Sequence, residues 1–150
     1  MDTKDRPKVG MGVYILNPQN QVLFTLRKNN VGAGKWCPPG GHLEYGEEFL
    51  DCVKREVKEE VNLDVSEAEI WSTMNNVMHD PDRHYVNVDF LVTKWSGEIK
   101  NTEPDKCEKI EWFNLNSLPK PLLEPTERFF KSNPQCLCKS GKKFYDCHGK

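Results

Sequence analysis

An α/β domain built on a mixed sheet is the fold class this sequence predicts, and three observations predict it. Strand-like stretches lie on both sides of one long helical stretch. That helical stretch carries an apolar stripe at four-residue spacing, the mark of a helix packed on one face. The chain has 150 residues, 37% hydrophobic and 29% charged, enough for one principal domain with a real core and a short appendage.

The elements follow in order. Val9 to Leu16 alternates Met11, Val13 and Ile15 with small or polar residues and reads as a strand. Asn17-Pro18-Gln19-Asn20 is a turn, and Gln21 to Arg27 a second strand, so the two are expected to form a hairpin. Lys28 to Lys35 reads as a loop, and Trp36 to Gly41 is dense in Pro and Gly. A helix is expected over Glu47 to Val61, with Phe49, Val53, Val57 and Val61 as its stripe and Leu50 widening it. Strands are expected at Ile70 to Met78 and Tyr85 to Trp95, with a turn across His79 to His84. A short strand follows at Ile110 to Leu115, then a Pro-broken region and a short helix at Thr126 to Lys131. Asn133-Pro134 marks a boundary, dividing the chain into a domain over 1–132 and an appendage over 133–150.

Composition narrows the function classes. A formal net charge of −2 gives no basic footprint for non-specific nucleic-acid binding. The polar start has no signal-peptide core, and no run approaches the roughly 18 apolar residues of a membrane span. A soluble cytoplasmic protein without membrane contact is the expectation. Of six cysteines, Cys37, Cys52 and Cys107 are scattered, as reduced buried thiols usually are, while Cys136, Cys138 and Cys147 crowd the last fifteen residues.

The chemistry-bearing pattern lies between Gly41 and Leu63. Five residues separate Gly41 from Glu47, seven more lead to Arg55, and Glu56, Glu59 and Glu60 follow. On a helix those three glutamates share adjoining positions spanning about 100°. Close carboxylates repel, and a divalent cation removes that cost; hard oxygen ligands select Mg²⁺, Mn²⁺ or Ca²⁺ over zinc. A solvated acidic face is the alternative. The surroundings weigh against it: Gly40 and Gly41 allow backbone to approach phosphate, Glu44 and Glu47 add acids at the helix start, and Arg55 is placed to fix the carboxylates.

This stretch resembles the Nudix box, G-x(5)-E-x(7)-R-E-U-x-E-E-x-G-U with U aliphatic. Every specified position matches except the last glycine, which is Asn62, a residue that tolerates the left-handed conformation. The resemblance implies an α/β/α sandwich and a hydrolase in which water attacks a phosphorus of a diphosphate, with Mg²⁺ or Mn²⁺ as cofactor. Carried over by position, it implies that Glu56, Glu59 and Glu60 bind the metal, that Glu44 adds a contact and that Glu47 bridges to Arg55. The general base stays open among Glu56, Glu60 and an acid beyond the box.

The resemblance runs from about Val9 to Pro125. Val31-Gly32-Ala33-Gly34-Lys35-Trp36, Pro39 to Glu44, His84-Tyr85-Val86 and Glu103 to Glu108 are similar to the small Nudix enzymes that hydrolyse nucleoside or pterin triphosphates, the MutT-type sanitising enzymes among them. The implied reaction takes a nucleoside triphosphate, with oxidised or otherwise modified dNTPs as candidates, to monophosphate and pyrophosphate. By position, Arg27 faces the substrate, Pro38 lines the base pocket and Asn87 sits near base or sugar; each of Arg27 and Asn87 also reads as an ordinary strand residue. Pro38 stands where the comparison proteins often have leucine, which puts base preference in doubt. Glu108 is read either as a late acidic ligand or as a strand-edge acid. The four tryptophans could stack on a base, but core filling is the better expectation for each. Related enzymes are often homodimers, and the sequence carries no interface signature.

A second constellation closes the chain. Cys136, Cys138, Cys147 and His148 place three thiols and an imidazole within thirteen residues, a donor set for tetrahedral zinc. The segment resembles the SEC-C motif, with Lys139 in place of the usual glycine. The resemblance implies a structural Zn²⁺ that supplies the segment's folding energy, and a docking role toward a protein or RNA. A disordered or disulfide-linked tail is the alternative. For the whole chain, two rivals to the triphosphate enzyme stand: an ADP-ribose or nucleotide-sugar pyrophosphatase, and a non-catalytic nucleotide-binding module acting through the tail.

Overall fold

A computed structural model describes residues 6–28, 31–79 and 82–150 of the chain. Within these residues seven strands and two α-helices follow in the order β1 (Lys8–Ile15), β2 (Gln21–Arg27), β3 (Trp36–Cys37), β4 (Gly40–His42), α1 (Phe49–Val61), β5 (Asp64–His79), β6 (Asp82–Ser96), β7 (Cys107–Asn114) and α2 (Glu124–Lys131), with a 3₁₀ turn at Phe144–Asp146. The strands form a four-stranded sheet of order β4-β1-β6-β5 and a three-stranded sheet of order β3-β2-β7. β1 runs parallel to β6 and antiparallel to β4, so the larger sheet is mixed, as expected.

Alternation along the strands sorts side chains into two cores. Met11, Val13 and Ile15 of β1, Leu23 of β2 and Val88, Phe90 and Val92 of β6 face α1, whose Cys52, Val53, Val57 and Val61 are buried against them. Tyr14, Val22, Phe24 and Leu91 point the other way, onto Phe129 and Phe130 of α2. One helix therefore covers each side of the strands, giving the α/β/α sandwich.

Several expectations need correction. β1 and β2 do not pair as a hairpin; they lie in different sheets, and an antiparallel bridge at Leu16–Val22 joins them across the turn. Both edges of β1 are taken, by β4 and by β6. Helix α1 starts at Phe49, two residues later than expected, because the Glu47 side chain turns back to accept the Glu44 N–H. Leu50 does not widen the apolar stripe; Leu50 and Phe49 are partly exposed and Cys52 is buried instead. β5 begins at Asp64, and irregularities between Val65 and Ser72 break the alternation that would have revealed its first half. The expected turn across His79 to His84 has Asp80 and Pro81 outside the described residues. Asn62 caps α1 with φ of 65° and donates its N–H to Lys58, so the departure from glycine is accommodated.

The tail packs against the rest of the domain. Cys136, Leu137 and Phe144 are buried in the same core as Phe129 and Phe130. Trp71 of β5 donates its indole N–H to the Gln135 carbonyl at 2.7 Å, and Lys139 pairs with Glu69. Chain after Ser132 thus completes one side of the sandwich.

Candidate active site

Two glycines bring the loop before α1 against the sheet. Gly40 pairs with Gly12 and Gly41 with Met11. A Cβ on Gly40 would overlap the Met11 carbonyl oxygen, and one on Gly41 would overlap the Glu56 carboxylate. Neither position leaves room for a side chain without moving backbone or a box glutamate. Gly40→Ala is expected to destabilise the protein by about 1–3 kcal/mol through this overlap; thermal melting would detect it, and an unchanged Tm would mean the strand shifts freely.

Arg55 organises the acids. Its guanidinium holds Glu47 in a two-point fork, at 2.7 Å from Nε and 3.0 Å from Nη2, and donates from Nη1 to Glu56 at 2.8 Å and Glu59 at 3.4 Å. It also donates to the His42 carbonyl and lies 3.9 Å from Glu44. The Arg55 hydrogen bonds hold the Glu47 carboxyl down at about 2. The same contacts raise Arg55 further above its ordinary value.

Glu60 and Glu56 behave oppositely to Glu47. Burial, reinforced by the Glu56 charge, pushes Glu60 up to about 8, although its carboxylate accepts the Gly40 N–H at 3.3 Å. Burial also raises Glu56, with Arg55 opposing. Ionising both is costly without a compensating cation.

These acids form one wall of a cleft of about 620 Å³. Glu56, Glu59, Glu60, Gly40 and Gly41 line it together with Arg27, Pro38 and Asn87, so the structure gathers most of the residues singled out from the sequence. Glu44, Glu47 and Arg55 stand behind that wall and do not line the cleft. Glu108 is exposed and outside it, whereas Glu103 lines it and adds negative charge near Glu56 and Glu60. None of the four tryptophans lines it; Trp95 stacks on Trp112, and Trp36 packs edge-on against Phe113. Asp89 on the cleft floor was missed. Its signal in the sequence is a lone charge inside the apolar run Val88 to Val92.

The carboxylates suit a hard divalent cation by their chemistry: four oxygen-bearing acids, two of them raised by burial and crowding. Among the described residues no trio of carboxylates converges to ligand spacing; Arg55 Nη1 holds Glu56 and Glu59, while Glu60 accepts the Gly40 N–H. That is consistent with Mg²⁺, which usually takes one or two carboxylates plus substrate phosphates.

The tail does converge. Ligand atoms of Cys136, Cys138, Cys147 and His148 all lie within 4.8 Å of one another. The Cys138–Cys147 sulfurs are 3.7 Å apart, and His148 Nδ1 is 3.3 Å from the sulfurs of both Cys136 and Cys147. Tetrahedral zinc with Zn–S near 2.3 Å requires sulfurs about 3.8 Å apart, so the site fits the ion. No disulfide joins the described cysteines. Lys139 has φ of 65°, the conformation for which glycine is the usual residue.

Comparison with known proteins agrees with this geometry. Residues 6–132 match the family model described as the NUDIX domain. An ADP-ribose pyrophosphatase of Methanocaldococcus jannaschii is 34% identical over 106 residues, 71% of this chain and 62% of that protein. An 8-oxo-dGTP diphosphatase of Proteus vulgaris is 37% identical over 102 residues, 66% of this chain and 87% of that protein. This chain thus spans less than two thirds of the archaeal relative's length. The crystal structure of a MutT Nudix hydrolase from Burkholderia pseudomallei superposes with a TM-score of 0.78 at 31% identity, covering 83% of this chain and 95% of that one. A Gly-loop, an arginine-centred acid cluster and an α/β/α frame, matched by the family model over most of the chain, place it in the Nudix family of hydrolases.

Proposed function

We propose that this protein hydrolyses a nucleoside triphosphate, an oxidised or otherwise modified dNTP among the candidates, to the monophosphate and pyrophosphate. The observation that carries the reading is one continuous cleft with acids and a glycine loop at one side and a polar floor of Asn87 and Asp89 at the other. The first suits a metal-bound phosphate chain, the second a base. Glu56, Glu59 and Glu60, with Glu44 nearby, would hold Mg²⁺ or Mn²⁺. Such an ion, when bound, neutralises the phosphate oxygens and lowers the pKa of the attacking water. Arg55, itself fixed by Glu47, keeps the acids in place. Arg27 and Lys106 bring positive charge to the same cleft. A carboxylate of this wall would take the water's proton, and Glu56, Glu60 and Glu103, which all line the cleft, are the candidates.

For residues 133–150 we propose a structural Zn²⁺ held by Cys136, Cys138, Cys147 and His148 in a SEC-C-type module that docks a protein or RNA partner. The domain proper is residues 1–132.

The test is a substrate panel with Mg²⁺: ordinary and oxidised dNTPs, dihydroneopterin triphosphate, ADP-ribose and a nucleotide sugar, with products separated by chromatography. Monophosphate and pyrophosphate from a triphosphate are expected. Turnover of ADP-ribose alone, the reaction in the archaeal relative's name, would replace the substrate class while keeping the site. Binding without any turnover would leave a nucleotide-binding module.

A further inference from the structure

Asn87 and Asp89 lie two residues apart on one face of β6, roughly 7 Å between Cα atoms. Each is opposite a glycine of β1, Gly10 facing Asn87 and Gly12 facing Asp89. A Cβ on Gly12 would overlap the Asp89 carboxylate, and one on Gly10 would come within 2.9 Å of Asn87 Nδ2. The two glycines therefore clear space in which these side chains lie along the cleft floor.

The orientation of Asn87 is decided by a chain of hydrogen bonds. Arg128, paired with Glu124 at 2.7 Å, donates to Asn76 Oδ1 at 3.2 Å. Arginine has no acceptor, so this end of the fully buried Asn76 must be its oxygen. The Asn76 amide nitrogen then donates to Asn87 Oδ1 at 2.6 Å. The Asn87 NH₂ is left directed over Gly10 as a donor for a ligand.

Asp89 is the complement. It is 6% exposed, lines the cleft, and forms no hydrogen bond or ion pair among the described residues. Burial alone lifts it to about 7. Its oxygens stay open to the cleft rather than sealed in the core, so a ligand that enters the cleft can reach a carboxyl no protein group satisfies. What it lacks is a pair of N–H donors.

We infer that Asn87 and Asp89 form a base-reading pair that selects a 2-amino-oxo ring edge, guanine or a ring with the same edge, over adenine and cytosine. This rests on the nucleotide reading above. Guanine presents an acceptor, O6, followed by two adjacent donors, N1–H and the 2-amino group. Asn87 offers the donor and Asp89 the two acceptors, in that order along β6. Adenine and cytosine present a donor beside an acceptor, which sets their ring nitrogen against the carboxylate. Oxidation of guanine at C8 leaves the recognised edge intact, so an 8-oxoguanine nucleotide fits equally. The ionised carboxylate gives charge-assisted bonds, which are shorter and stronger than neutral ones.

The test measures equilibrium binding of GTP, ITP, ATP and CTP with Mg²⁺ to a Glu60→Gln protein, alone and combined with Asp89→Asn. ITP lacks only the 2-amino group. GTP is expected to bind at least tenfold more tightly than ITP, ATP or CTP, and Asp89→Asn to abolish the GTP–ITP difference. Asp89→Asn should not lower Tm, since it removes a buried charge. Equal affinity for GTP and ITP before the Asp89 change overturns the proposal without needing that variant to fold. So does a GTP preference that survives in folded Asp89→Asn protein. Parallel turnover by the wild-type enzyme separates the two readings. Hydrolysis of triphosphates without a guanine preference sinks the base-reading pair alone; an Asp89-dependent guanine preference without hydrolysis sinks the enzymatic reading alone.

Discussion

Replacing Glu60 by Gln is expected to lower kcat for triphosphate hydrolysis about 10²–10³-fold, the scale of removing one group that stabilises transition-state charge. The substitution preserves shape and keeps an oxygen within reach of the Gly40 N–H, so the loop should stay in place. Steady-state kinetics with saturating Mg²⁺ would measure it, and a loss below threefold would remove Glu60 from the catalytic machinery. The same variant carries a pH signature in metal-free protein. Burial raises Glu60 from 4.5 to about 8, so the folded state favours the protonated form. Its contribution to stability is full below pH 4.5 and is lost as pH rises through about 8. With a chelator present, Glu60→Gln and wild type should therefore melt together at pH 4.5, and the variant should be the more stable at pH 9. Adding Mg²⁺ should narrow the gap at pH 9, because a cation favours the carboxylate. A variant less stable than wild type at pH 9 in chelator would show that the Glu60 charge is satisfied in some other way.

Truncating Phe144 to Ala is expected to destabilise the whole protein by about 3–5 kcal/mol, the usual scale for a buried Phe. Phe144 lies in the tail, 5% exposed, with its ring 4.9 Å from that of Phe130 in α2. Phe130 in turn packs on Tyr14 and Phe24 at the centre of the fold. The expected result is a single unfolding transition in denaturant, shifted as a unit and followed by tryptophan fluorescence. On the proposed zinc reading, chelation should move that same transition, since an ion held by Cys136, Cys138, Cys147 and His148 would close the segment that carries Leu137 and Phe144. A main transition that stays put while a small early one appears would mean that the tail folds independently of the sandwich. The coupling has a route to the cleft: Glu124, Pro125 and Thr126 at the start of α2 line it, and Phe129 and Phe130 at the other end meet the tail.

The acid wall and the residues that brace it were legible in the sequence because they are close along the chain. Gly41, Glu47, Arg55, Glu56, Glu59 and Glu60 fall within twenty residues, and the helical period alone puts the last four on adjoining positions. The Cys/His set was legible for the same reason. Each is a local arrangement, and local spacing is what a sequence displays.

Tertiary structure decided what depends on contacts far apart in the chain. That β1 pairs with β6 and β4, and not with its neighbour β2, is set by competition for strand edges, on which alternation of apolar residues says nothing. Which acid beyond the box reaches the cleft, Glu103 and not Glu108, depends on how the segment before β7 lies across α1. Asp89 stands out only in the fold, where Gly12 lies opposite it and no hydrogen-bond partner lies beside it among the described residues. The tail, read by itself, has too few apolar residues to bury a core; set against α2 and Trp71, it supplies part of the core of the whole. By itself the sequence determined the family's chemistry and the two metal-type donor sets. The fold decided which groups line the cleft, because burial and partnership are properties of the packed chain.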